Sequence, residues 1–193
     1  MARRTREWTS EGPGPRSSRV GGENSPGSAV TGGALYRRGW WGYKPARMSQ
    51  EAALQDLLDR SAVRDVVYTY ARGVDRKDIA MVASCFAADC AYEGALGRTT
   101  ARDALARLEE RWVQYDATMH FMGNCLIDLD GDVARSETYC VAYHRRTVGG
   151  AQKDFTVAVR YCDEMARMDG RWRIRRRQVV TVWTRDDLVP PPA

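Results

Sequence analysis

Three glycine-centred turn signals divide the C-terminal half of the chain and limit what it can become. Asp130-Gly131-Asp132, the stretch "VGGAQKD" from Val148 to Asp154, and "DGR" from Asp169 to Arg171 separate four runs rich in β-branched, aromatic and alternating polar residues. The runs are "TMHFMGNCLIDL", "VARSETYCVAYHRR", "FTVAVRYCDEMARM" and "WRIRRRQVVTVW". Asp-Gly and Gly-Gly between such runs are strong short-range hairpin signals, so the sequence predicts a meander of four long antiparallel strands.

The residues before the meander read as helix. Leu54, Leu57 and Leu58 are followed by Val63, Val66, Val67, Tyr70 and Val74, and the later set has the i, i+3, i+4, i+7 spacing of one buried helix face. Gly73 is expected to end this helix. Asp78 is placed to cap a second, short helix, "IAMVASCF". "AADCAYEG" then turns into a short strand. Thr100 and Asp103 open a third helix that runs to about Tyr115. Three helices and a meander make an α+β domain, with helices packed on one face of an antiparallel sheet.

Charge is distributed unevenly. Residues 1–47 hold nine Lys/Arg against three Asp/Glu, a net of +6; the remainder has 21 basic and 22 acidic residues, a net of −1. The overall +5 therefore belongs to the leader, which weighs against a nucleic-acid partner for the domain. Residues 1–47 are rich in Gly, Pro and Ser and lack periodicity, so they are expected to be a disordered leader. Met48 opens the helical pattern. It is expected to be the true start, with a basic arm that touches membrane or nucleic acid as the rival reading. The domain is expected over 48–188, with 189–193 as a tail. Five cysteines, none in C-x-x-C spacing, fit reduced cytoplasmic thiols better than a disulfide framework or a metal site. No apolar run is long enough to cross a bilayer.

Several blocks carry a family likeness. "YARGVDRKDIAMVASCFAADCAYEG", "MHFMGN", "LDGDVARSETY" and "DGRWRIRRR" resemble the SnoaL-like members of the NTF2-like superfamily, over Leu54 to about Trp183. The resemblance implies a cone: a strongly curved sheet wrapped around the helices, enclosing a deep apolar pocket. It implies less about the reaction, because the superfamily hosts dehydratases, isomerases, cyclases and non-enzymatic binding modules. Two dehydratase patterns within it match. The bile-acid dehydratase pattern of a Tyr, an Asp five residues later and a His on the first long strand falls on Tyr70, Asp75 and His120. The scytalone dehydratase pattern falls on Asp75, Tyr92, His120 and His144. Val74 stands where scytalone dehydratase has a second Tyr, and His144 stands near an acidic position of the bile-acid enzyme, so the substrate stays open.

The chemistry follows from residue type. His120 is the candidate base, and Asp75 is expected to fix its tautomer. Tyr70 and Asp75 would lie ~140° apart on an unbroken helix, so sharing one pocket is expected to need a helix loosened near Gly73. His144 tests the hairpin register. A loop of Asp130–Asp132 puts His120 opposite Ala142 with His144 on the same face; a loop of Asp130-Gly131 turns His144 away. Tyr92 and Asn124 are candidate substrate-binding residues, with Tyr92 equally readable as packing; the resemblance adds Arg177, which matches an arginine of the family's last-strand pattern and implies an anion or carbonyl anchor. In "RWRIRRR", Trp172 and Ile174 are expected to point inward and the other arginines outward.

The expected function is a cofactor-independent dehydratase or isomerase that removes a proton α to a carbonyl of a small apolar, cyclic or polyketide-like molecule. The rivals are a non-catalytic binding module and the small subunit of a larger oxygenase. No metal site is expected, no membrane partner, and a homo-oligomer, dimer or trimer.

Overall fold

The computed structural model describes residues 48–94 and 97–188. The expectations for the leader, 1–47, and the tail, 189–193, lie outside the described residues. The element order is α1 (Gln50–Asp75), α2 (Ile79–Ser84), β1 (Phe86–Gly94), β2 (Gly97–Thr100), α3 (Ala101–Trp112), β3 (Ala117–Asp130), β4 (Val133–Val148), β5 (Ala151–Met168) and β6 (Arg171–Leu188). The sheet order is β2-β1-β6-β5-β4-β3. β2 and β3 are the edges, so the sheet curves without closing. All pairs are antiparallel except β1 with β6, which is parallel. The expected α+β cone is present.

Caps set the helix starts as the sequence implies. Ser49, Asp78 and Thr100 accept from the backbone N–H groups of Ala52, Met81 and Asp103. The first helix buries Asp59, Val63, Val67, Tyr70, Ala71, Gly73 and Val74. Leu54, Leu57 and Leu58 are exposed. The buried face therefore begins later than the apolar pattern does.

Gly73 does not end α1. The helix continues to Asp75, and the chain turns at Lys77 in the left-handed region (φ 55°), where Asp78 N–H reaches back to Gly73 O at 2.9 Å. Gly73 is instead a packing residue. A Cβ there would lie 2.8 Å from Val82 Cγ2 and 3.0 Å from Val82 N, so glycine is what lets α2 cross α1 closely.

The three hairpins form where the glycines predict, with two-residue loops. Gly149-Gly150 and Asp169-Gly170 have positive φ at both positions, the type I′ pattern that follows strand twist. The first hairpin corrects the loop in both alternatives above, while the pairing of His120 with Ala142 expected from the first of them is found. Its loop is Gly131-Asp132, between paired Asp130 and Val133. Extended unchanged, that register would set His120 opposite Tyr143 and turn it to the outer face. A bulge between Met122 and Cys125 removes one step, and His120 pairs with Ala142. Gly123 and Asn124 together oppose the single residue Tyr139.

Candidate active site

A cavity of about 300 Å³ opens on the concave side of the sheet, between α1, α3 and residues from all six strands. Its lining mixes apolar residues such as Val74, Leu105, Val157 and Val179 with polar ones, among them Tyr70, Tyr92, His120, His144 and Tyr161, and with Arg107 and Arg111 of α3. That is the usual make-up of a small-molecule site. Ala142, Cys140 and Thr138 are buried on the histidine face of β4, and their small side chains leave the space.

His120 comes from β3 and Asp75 from the end of α1. His120 Nδ1 lies 2.7 Å from Asp75 Oδ1, and the His120 backbone N–H donates to Asp75 Oδ2 at 2.8 Å. Thr118, two residues earlier on the same face, donates from Oγ1 to Oδ1 at 3.1 Å. Burial alone would push the Asp75 carboxyl up. The hydrogen bonds from the His120 ring and backbone and from Thr118 outweigh it and hold the group below its ordinary value. An ionised Asp75 accepts, so Nδ1 carries the proton and the lone pair is left on Nε2.

The expected loosening at Gly73 is not needed. Asp75 is not among the cavity-lining residues; it braces His120 from behind while Tyr70, ~140° round the same regular helix, faces the cavity.

His144 lies beside His120, ring centroids 5.7 Å apart and nearly perpendicular. Its Nδ1 is 3.3 Å from Phe155 O. A carbonyl can only accept, so here too Nδ1–H donates and Nε2 keeps a lone pair. Burial, then the neighbouring His120, pushes His144 down to about 4, so it is neutral at pH 7. The cavity is therefore served by two imidazoles of matched tautomer, only one of which is braced by a carboxylate.

The remaining candidates separate. Tyr92 lines the cavity, as does Tyr70. Asn124 does not: the bulge takes it out of phase with His120 and leaves it exposed. Arg177 does not line the cavity either. A register shift between Ile174 and Arg176 turns it inward, where it is fully buried and paired with Asp163. Trp172 and Ile174 are buried as expected, whereas Arg173 and Arg176 are only half-solvated.

Thr118 and Tyr161 were not singled out from sequence. Thr118 was visible as the residue in phase with His120. Tyr161 was visible through Gly149-Gly150, because a two-residue loop there sets Tyr161 opposite Thr138 on the histidine face. The thiols offer no nucleophile: burial pushes Cys140 up to about 11 and Cys90 up to about 12. Among the described residues, no group of three or more His, Cys, Asp or Glu is placed to hold a metal ion. No described helix is long and apolar enough to cross a membrane.

Solved structures share this architecture. A protein from Novosphingobium aromaticivorans provisionally assigned as a scytalone dehydratase is 26% identical, with a TM-score of 0.63 over 72% of this chain and 93% of its own. The hexachlorocyclohexane dehydrochlorinase LinA-type3 from Novosphingobium barchaimii is 19% identical, with a TM-score of 0.62 over 72% and 99%. The Kfla4162 protein from Kribbella flavida is 18% identical, with a TM-score of 0.62 over 67% and 95%. At those identities the last two show the fold alone. No curated protein matches the chain. The family model described as the SnoaL-like domain matches residues 55–178, and the chain belongs to that family.

Proposed function

We propose that the protein is a cofactor-independent dehydratase or isomerase for a small, largely apolar cyclic ketone. The observation that carries the reading is the 2.7 Å contact between Asp75 and His120 at the wall of an apolar cavity. A module that only bound ligand would have no use for a half-buried carboxylate that fixes a histidine tautomer. The dehydratase assignment of the 26% identical relative points the same way.

In this reaction His120 Nε2 removes a proton α to the carbonyl. The C–H pair forms a C=C bond and the carbonyl oxygen gains negative charge, held by hydrogen bonds from Tyr70 or Tyr92. In dehydration the electrons of the enolate re-form the carbonyl, the β C–O bond breaks, and the hydroxyl leaves as water with the proton from His120. In isomerisation the same proton returns to a different carbon. His144, neutral with a free Nε2, accepts from a substrate hydroxyl and orients it. The reading places the enzyme in the cytoplasm, where its five free thiols stay reduced. It also pairs the outer sheet face with a second copy of the chain.

The test is turnover of a panel of cyclic β-hydroxy-ketones by the purified chain, followed by the absorbance of the conjugated enone. His120→Ala should lower kcat by about 10²–10⁴ with an unchanged circular dichroism spectrum. Undiminished turnover in a folded His120→Ala variant would remove the proposed base.

A further inference from the structure

Behind the cavity wall lies a charged group that the reaction above does not use. Arg177 is fully buried, and its Nε and Nη2 each lie 2.7 Å from an oxygen of Asp163, itself buried. Nη1 has no hydrogen-bond partner. What surrounds the guanidinium is aromatic: Cζ lies 4.1 Å from the ring centroid of Tyr70, 4.5 Å from Tyr161 and 5.3 Å from Phe86. A buried ion pair is weak evidence for stability, since an apolar pair of the same shape does as well. Stability alone therefore does not account for a cation packed against two phenols.

The ladder shows how the group is built. Asp163 and Arg177 form one rung of the β5–β6 pair, and Tyr161 stands two residues from Asp163 on the same face. Tyr70 and Tyr161 meet edge to face with ring centroids 5.5 Å apart, and Phe86 contacts both Tyr70, at 5.9 Å, and Tyr92, at 6.5 Å. All three phenols line the cavity that holds His120.

We propose that Tyr161 binds the substrate oxygen together with Tyr70, and that Arg177, clamped by Asp163, is a positioning residue that fixes both rings and strengthens their donation to an oxyanion. The inference rests on the reaction proposed above. It specifies the ligand chemistry of the cavity floor: a planar enolate or phenolate oxygen. A cation against an aromatic ring draws on its π electrons, which makes the phenolic O–H a better donor. Burial raises Tyr70 and raises Tyr161 further, so both phenols stay protonated and donate. At Tyr70 the guanidinium acts more strongly than the opposing charge of Asp163.

The experiment uses para-nitrophenol, whose ionised and neutral forms have different absorbance, bound to the full chain across pH. The phenolate should bind about tenfold or more tightly than the neutral phenol, in the parent and in His120→Ala, where no imidazolium at that position can contribute. Tyr161→Phe should cost about tenfold in phenolate affinity and leave neutral-phenol affinity unchanged. The double variant Arg177→Met with Asp163→Leu removes the pair as a unit, so neither charge is stranded. It should stay folded and lose most of the phenolate preference. Parent-like phenolate binding in Tyr161→Phe would overturn the assignment of Tyr161, and a full preference in the folded double variant would overturn the role of Arg177. Phenolate capture that depends on Tyr161, in a protein that turns over no hydroxy-ketone, would sink the proposed reaction and leave this inference standing.

Discussion

Asp75 and Tyr70 sit five residues apart on one regular helix; Tyr70 lines the cavity, and Asp75 reaches it only through His120. Asp75 and His120 were legible through the family pattern they match; by residue type alone a carboxylate at a helix end reads as a cap and a strand histidine as a hydrogen-bonded core residue. Tyr161 and Arg177 were harder. A tyrosine in a strand is most often packing, and an arginine in "RWRIRRR" is most often solvated; only pairing across two hairpins brings them together. His144 has a consequence that can be measured. It is held at about 4, below its usual 6.5, chiefly by burial. Between those values the unfolded chain binds a proton that the folded chain does not. Stability from this group is therefore full above pH ~6.5 and falls as the pH drops towards 4. Denaturant midpoints measured from pH 6.5 to 4.5 should fall for the parent and fall less for His144→Gln. Parallel losses in the two proteins would remove this residue as the cause.

At the scale of elements, turn chemistry was legible and register was not. Each Gly pair or Asp-Gly step marked its hairpin, because those residues are what a positive φ at a tight turn requires. The strand phase beyond the first turn depends on an insertion at Gly123-Asn124, and a lone glycine within an apolar run is only a weak bulge signal. The inward turn of Arg177 has the same origin, since Arg175 is the unpaired residue of a second bulge. Gly73 shows the limit of local reading. Helix propensity marks it as a stop, yet its function is tertiary. Alanine should gain ~1 kcal/mol of intrinsic helix propensity there. It would also place a methyl 2.8 Å from Val82 Cγ2 and 3.0 Å from the Val82 backbone nitrogen, which has to move. Overpacking of this kind costs ~1–3 kcal/mol, so Gly73→Ala is expected to be net destabilising. Urea unfolding checks this, and a midpoint at or above that of the parent would show that α2 can move away freely.

At the scale of the molecule, the curvature that makes the cavity also makes a convex face that no described helix covers. The register runs a row across it from Phe121 through Val141 and Ala158 to Trp183, with Met119 beside Tyr143 and Tyr139 beside Arg160. Phe121 is 65% exposed and Trp183 47%. Charge lies at the margin, where Arg160 pairs with Glu137. Large contiguous apolar surface rimmed by polar groups is uncommon on monomers and usually marks an interface. A second copy of the same chain suits this face, because a row of aromatic and small residues can meet its own copy across a rotation axis. The domain, near neutral at −1 over residues 48–193, raises little charge barrier to meeting its own kind. The expected species at micromolar concentration is a dimer or trimer. Phe121→Lys should convert it to monomer in sedimentation velocity, because the lysine would bring two or three ammonium groups into one apolar contact. His120 is on the opposite face of the same strand, one residue away, so activity per chain should change much less than assembly. A parent that sediments as a monomer, or a Phe121→Lys variant with unchanged assembly, would place the contact elsewhere.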